Sequence, residues 1–230
     1  MHFIVLILFL LLLIFGPQLW AKATFKRYST PLDSIPGTGG EFARHLLAQL
    51  DISDVSVEET QPGGDHYDPQ SRTVRLSPEN YRVNSLTAIT VAAHEVGHAI
   101  QHDKNEKKLK WRTQLVHFSQ ASQKMGSAAM LLVPVVTAIT RSPNAGLLMI
   151  VLGLISLLSA TLVHLITLPV ELDASFRKAL PILKQGKYIN TKDEPATKKI
   201  LQAAAWTYVA ASLASVLNIW RWMALLKRAR

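Results

Sequence analysis

Residues 3–15 read FIVLILFLLLLIF, and residues 145–158 read AGLLMIVLGLISLL with only Ser156 interrupting. Runs like these constrain the fold more than any other feature of the chain, because lipid is the expected solvent for uninterrupted apolar segments. Composition points the same way. Apolar residues make up 49% and charged residues 18% of the 230 positions, against ~25% charged in ordinary soluble domains. A cytosolic enzyme, a disordered chain and a coiled coil are thereby excluded. The chain has no cysteine, which excludes disulfide frameworks and Cys-ligated zinc or iron–sulfur sites but says nothing of compartment.

Net charge is +9, from 25 Lys and Arg against 16 Asp and Glu. No stretch interleaves basic and aromatic residues as a nucleic-acid surface would, so nucleic acid is not an expected partner. The basic residues instead flank apolar segments, at Lys22, Lys26 and Arg27, within 177–199, and within 221–230. That is first a topology signal. Four candidate spans follow: Phe3 to Trp20; Met125 to Thr140, which carries Pro134; Ala145 to Leu168; and Ile200 to Trp220, with aromatic residues near both ends. The third covers ~36 Å at ~1.5 Å per residue, enough to cross with tilt. Ala21-Lys-Ala23 resembles a signal-peptide cleavage site, but the basic residues follow the first run rather than precede it, which favours an uncleaved anchor. The same bias puts 21–124 in the cytoplasm and returns 169–199 there. The tail from Arg221 to Arg230 resists this scheme: either it lies on head groups or the fourth segment does not cross fully.

Between the spans, Glu41 to Leu50 has a helical stripe at Phe42, Leu46, Leu47 and Leu50. Val55 to Glu58 reads as a short strand. Gly64–Asp68 and Arg72–Leu76 can pair as a hairpin across Pro69-Gln70-Ser71, and Thr73 to Ser77 is equally an edge strand open to an extended peptide or an ordinary hairpin strand packing the helix that follows. A helix begins near Asn84-Ser85, either of which can cap it, and runs through His102.

On that helix stands His94-Glu95-Val96-Gly97-His98. Residues four apart share a helix face, so two imidazoles can converge on one tetrahedral metal. A cation there lowers the pKa of a water from ~15.7 to ~7, and Glu95 projects beside it as a base able to take the proton. The surrounding Leu86, Ile89, Val91, Ala92, Ala93, Val96 and Ile100 make a solvated helix face a poor explanation, and a buried imidazole pair without a ligand would be costly. Zinc suits the donors best, with iron or manganese tolerating similar ones.

A third ligand must come from elsewhere. His102 lies ~12 Å along the helix from His94, too far to share an ion with both. A long form of the motif would need Gly and His where Gln101 and Lys104 stand. His117 and His164 are isolated. Glu171, in Leu168-Pro-Val-Glu-Leu-Asp-Ala-Ser175, is the best candidate, with Asp173 competing as a ligand, as a partner for Arg177, or as a hydrogen-bond acceptor for a ligating imidazole.

These residues resemble the YugP-like neutral zinc metallopeptidases of bacterial membranes. The resemblance rests on Asp65-His-Tyr-Asp-Pro69, Val74-Arg-Leu-Ser77, Val91-Ala-Ala-His-Glu-Val-Gly-His-Ala-Ile-Gln101 and Leu168 to Ser175. It implies a zinc endopeptidase with His94 and His98 as ligands and Glu95 as the catalytic residue. The more distant HtpX-like peptidases follow a ligand Glu with Ala-Asp three and four residues on; Glu171 and Ala174 match, while Ser175 replaces the Asp. The expected fold class is a mostly α-helical integral membrane protein of about four transmembrane helices with a small α+β zincin-like catalytic domain. Its expected parts are an anchor (1–20), the zinc-binding region (21–118), a transmembrane hairpin (119–168), a juxtamembrane segment supplying the third ligand (169–199) and a C-terminal apolar helix with a basic tail (200–230). Expected partners are a peptide or protein substrate, Zn2+ and the lipid bilayer, in a multi-pass plasma-membrane setting with the catalytic side cytoplasmic; nothing in the chain signals an oligomeric state. His66, Tyr67 and His164 are candidate oxyanion donors. Two other readings stand beside this one: site-2-protease-like intramembrane cleavage with Asp173 as ligand, and a non-catalytic metal-binding scaffold.

Overall fold

The computed structural model describes residues 2–141 and 165–210, with scattered positions between 151 and 163. The chain divides into two compact units, Met1–Lys110 with Pro169–Thr207, and Trp111–Leu168 with Tyr208–Arg230. The first unit holds all the site chemistry below. In chain order the elements are α1 (His2–Arg27), α2 (Gly39–Gln49), β1 (Ser56–Glu59), β2 (His66–Asp68), β3 (Thr73–Leu76), α3 (Pro78–Tyr81), α4 (Leu86–Asp103), α5 (Lys107–Thr140), a π-helix (Asp173–Ala179) and α6 (Leu180–Gln185). Residues 165–172 lead helically into the π-helix, and 194–210 are helical as well.

Among the described residues no helix is long and apolar enough to cross a membrane. The expected integral membrane fold of about four spans is therefore corrected to a mostly helical chain with a small sheet, and the multi-pass plasma-membrane placement falls with it. The physical reason lies in where the apolar runs stop. The first covers only ~20 Å at 1.5 Å per residue, short of a ~30 Å hydrocarbon core. Its helix continues past Gly16 and Pro17 through Lys22, Lys26 and Arg27. The second candidate span is the end of α5, whose earlier turns carry Lys107, Lys108, Lys110, Arg112 and Lys124. The candidate span 145–168 lies largely outside the described residues, 200–220 is described through 210 only, and the tail 221–230 lies outside them.

Capping residues set the helix starts near the site. Thr38 and Glu41 form a reciprocal box at α2: Glu41 N donates to Thr38 Oγ1 (3.3 Å), and Thr38 N donates to Glu41 Oε2 (2.8 Å). Ser85 caps α4 by accepting from Ala88 N at 3.1 Å. The sheet runs β1-β3-β2. β2 and β3 form the antiparallel hairpin expected from the turn residues, with Tyr67 opposite Val74. β1 joins the other side of β3 in parallel, with Val57 opposite Val74. Of the two readings of Thr73–Ser77, the hairpin strand packed on α4 holds and the open edge does not: β3 is paired on both sides, and β1 and β2 hold the edges. Arg75 ties all three strands, reaching Glu58 on β1 (3.3 Å) and Asp68 on β2 (2.9 Å).

α4 is the central element of this unit, packed against α2, α3, β2, β3, the π-helix and α6. From Leu86 to Gln101 every residue except Val91 is buried. Phe42, Leu46, Leu47, Val74, Leu76, Ile89, Val96, Leu183, Ile200 and Leu201 make up its core. Small residues at 92, 93, 97 and 99 let neighbouring backbones come close to its axis.

Candidate metal centre

Burying both faces of α4 forces its polar side chains to find partners inside the protein. His94 and His98, one turn apart, have ring centroids 4.8 Å apart at 79°. Glu171, only 2% exposed, arrives from the segment leading into the π-helix. Its Oε2 lies 3.1 Å from His94 Nε2 and 3.2 Å from His98 Nε2. The three ligand atoms lie within 4.8 Å of one another, and these three residues could hold a metal ion. Glu95, also buried, sits beside His94 on the same helix.

Gly97 makes this approach possible. A Cβ there would lie 2.8 Å from the Ala174 carbonyl oxygen and 3.4 Å from Ala174 C and Cα, so any side chain would push the Glu171-bearing segment away. Ala174 and Ser175 are fully buried beside it. Ser175 Oγ lies 3.0 Å from His94 Nδ1. Gln101 Oε1 lies 2.9 Å from His98 Nδ1, and Gln101 Nε2 donates to Val170 O (3.0 Å) and Asp173 Oδ2 (2.8 Å). Each imidazole therefore has its Nδ1 engaged by a fixed polar side chain and its Nε2 turned to Glu171.

The π-helix supports that arrangement. Leu180 N–H donates to Ser175 O, five residues back, and Pro181 beyond it has no N–H to give to an α-helical ladder. The i→i+5 hydrogen bonding of a π-helix brings position i+5 near i, which is how Lys178 reaches Asp173. Lys178 also pairs with Glu106 at 2.8 Å. Asp173 thus faces Gln101 and Lys178, and its link to an imidazole runs through the Gln101 amide.

Burial alone would raise the Glu171 carboxyl pKa. The field of His98 and the hydrogen bonds with His94 and His98 outweigh it and hold the group well below the usual carboxylate range. A negative carboxylate facing two imidazole nitrogens is suitable for a cation. The two Glu171 separations suit a tetrahedral ion, while the three ligand atoms together spread over 4.8 Å. Bonds of ~2.0–2.1 Å in tetrahedral geometry set ligand atoms ~3.3 Å apart, close to the 3.1 and 3.2 Å seen here.

The other sequence candidates stand elsewhere. His102 Nδ1 pairs with the Tyr67 hydroxyl at 2.8 Å. Burial, followed by the charges of Asp68 and Asp103, pushes the Tyr67 phenol up to about 12. His66 Nδ1 lies 2.6 Å from Gly64 O. His117 belongs to the second unit, and His164 lies outside the described residues. Asp65, which opens one of the recognised motifs, is structural: it accepts from Ser77 N (2.7 Å), Ser77 Oγ (3.0 Å) and Asn80 Nδ2 (3.0 Å). Gln101 and Ser175 are the polar partners that the sequence reading did not assign. Their signal was position alone, three residues after His98 and four after Glu171.

Two imidazoles and a carboxylate buried on converging helices are a donor set that could hold a metal ion such as zinc. A family model described as "Putative neutral zinc metallopeptidase" matches residues 3–227, and the chain belongs to that family. It is 38% identical over 223 residues, 95% of each chain, to the protein of Bacillus subtilis (strain 168) named "Putative membrane protease YugP". No solved structure matches it.

Proposed function

We propose that this zinc peptidase is an endopeptidase in which His94, His98 and Glu171 hold the ion and Glu95 is the general base. The observation that carries the reading is the meeting of both Nε2 atoms with one Glu171 oxygen across a 73-residue separation in sequence. When bound, zinc polarises the scissile carbonyl and makes water acidic enough to be deprotonated near neutral pH. Glu95 takes that proton and passes it to the leaving amine nitrogen, so one carboxylate serves first as base and then as acid. The imidazoles hold their positions throughout, because their Nδ1 contacts to Ser175 and Gln101 are made before substrate arrives. Asp173, bound to Gln101 and Lys178, is assigned to support. The substrate is a peptide or protein, as the family implies.

Metal analysis of the purified wild type beside His94→Ala, Glu171→Ala and Glu95→Gln variants tests the proposal. The first two variants should lose zinc. Glu95→Gln should keep zinc and lose peptide cleavage. Stoichiometric zinc in both ligand variants would defeat the assignment, and full cleavage by Glu95→Gln would remove Glu95 from the chemistry.

A further inference from the structure

Gln101 is 1% exposed, and an amide so buried must place all its donors and acceptors. Its Nε2 hydrogens go to Val170 O at 3.0 Å and Asp173 Oδ2 at 2.8 Å. A carbonyl and a carboxylate beside Lys178 both accept, so the amide cannot be flipped. Its Oε1 is thereby the atom facing His98 Nδ1 at 2.9 Å. A carbonyl oxygen only accepts, so Nδ1 must carry a proton, and a neutral ring keeps its lone pair on Nε2. Nε2 faces a Glu171 oxygen at 3.2 Å: a proton there makes the hydrogen bond to that carboxylate, and a bound cation would take the proton's place on the lone pair.

We propose that Gln101 is a positioning residue that locks His98 in its Nδ1–H tautomer and presents the Nε2 lone pair to the metal. The inference rests on the ligand assignment above. One amide also grips the residues on either side of Glu171, through the carbonyl of residue 170 and the carboxylate of residue 173, so it sets one ligand's ring and the other ligand's backbone together. The acceptor at 173 is itself held, because the π-turn lays Lys178 against it and Glu106 holds Lys178 at 2.8 Å. Glu106, Lys178, Asp173, Gln101 and His98 form one chain of contacts, each fixing the next.

The test uses the full chain. Zinc affinity, measured by competition with a chelator, is compared among wild type, Gln101→Met and His98→Ala, with far-UV circular dichroism of the metal-free forms as the fold control. Gln101→Met preserves the side-chain volume and removes every hydrogen bond, and should weaken zinc by ~10–100-fold, the usual loss when a ligand's outer partner is removed. Imidazole 15N NMR of zinc-loaded wild type should show His98 protonated at Nδ1, with that proton protected from exchange; in folded Gln101→Met the protection should vanish. A merely structural glutamine would change stability without moving the resonance. Wild-type affinity in folded Gln101→Met overturns the proposal, as does a His98 proton on Nε2 in the wild type. The wild-type spectrum decides alone if the variant does not fold. Wild-type affinity in His98→Ala would instead sink the ligand assignment itself.

Discussion

Gly97→Ala is a one-methyl change whose consequences can be worked from the geometry. The new Cβ would sit 2.8 Å from the Ala174 carbonyl oxygen, where ordinary contact begins near 3.4 Å. The neighbour is backbone, so the Glu171-bearing segment must retreat from α4 by roughly 0.6 Å, the gap between those two distances. Overpacking of this kind costs ~1–3 kcal/mol, while alanine in place of glycine in a helix returns up to ~1 kcal/mol. Net destabilisation of the metal-free protein should therefore lie between nil and ~3 kcal/mol. Zinc binding has less tolerance, because ligand distances must hold within about 0.2 Å. A retreat about three times that size separates Glu171 from both imidazoles and should weaken zinc by at least ~10-fold, or ~1.4 kcal/mol. Urea denaturation of the metal-free variant gives the first quantity, and chelator competition the second. Gly97→Val should exaggerate both. Unchanged zinc affinity in a natively folded Ala variant would refute the reasoning, since it would mean the two segments can separate without moving the carboxylate.

Ser175→Ala removes the partner 3.0 Å from His94 Nδ1 and should weaken zinc by ~10-fold, measured by the same competition, with ~1 kcal/mol lost from the metal-free fold. Zinc at 100 times its dissociation constant should stabilise the wild type by ~2.7 kcal/mol, and scanning calorimetry should show that increment vanish with chelator and in Glu171→Ala. Alkaline pH tests Tyr67, whose phenol is raised from 10.0 to about 12 by burial first and then by neighbouring acids. Between those values the unfolded phenol is ionised and the folded one is not. The unfolded state then binds fewer protons, and stability falls as pH rises. The contribution is intact below pH ~10 and is lost on passing through the folded value; denaturation midpoints from pH ~9 to ~11 should decline less steeply in Tyr67→Phe.

The local signals in the sequence translated into the fold more fully than the strand order and the span lengths did. Ser85 sits at the start of α4 because a hydroxyl before an apolar-periodic stretch is a local instruction. The β2–β3 hairpin follows from three turn-forming residues between two short runs. The partner of β3 on its other side is set by tertiary packing of β1 over a longer loop, and nothing in residues 73–77 distinguishes a central strand from an edge. The membrane expectation failed for a related reason. Hydrophobic runs were extended outward to span length, whereas the helices that contain them turn basic within a few residues, at Lys22 on α1 and throughout the first half of α5.

The candidate site was legible to the depth of its three proposed ligands and no further. Two histidines four apart announce a shared face, and a buried cation site then demands an anion, which is why Glu171 could be sought 73 residues away. The supporting polar groups send no comparable message, because glutamine and serine are common and their roles depend on a π-turn that periodicity does not reveal. Gln101 occupies the position where a longer motif would have glycine, so by motif it reads as a mismatch. In the fold that same mismatch supplies the carbonyl oxygen that meets His98 Nδ1. Ser175 likewise stands where a related pattern has an acid, yet its hydroxyl meets His94 Nδ1. A neutral glutamine and a neutral serine in these roles leave Glu171 as the carboxylate that meets both imidazoles. The two imidazoles and one anion then leave a net positive charge on a bound divalent ion, which favours the polarisation of a substrate carbonyl. Replacing Ser175 with Asp would add a second carboxylate to that balance, tightening zinc through a stronger hydrogen bond to His94 while drawing down the ion's Lewis acidity.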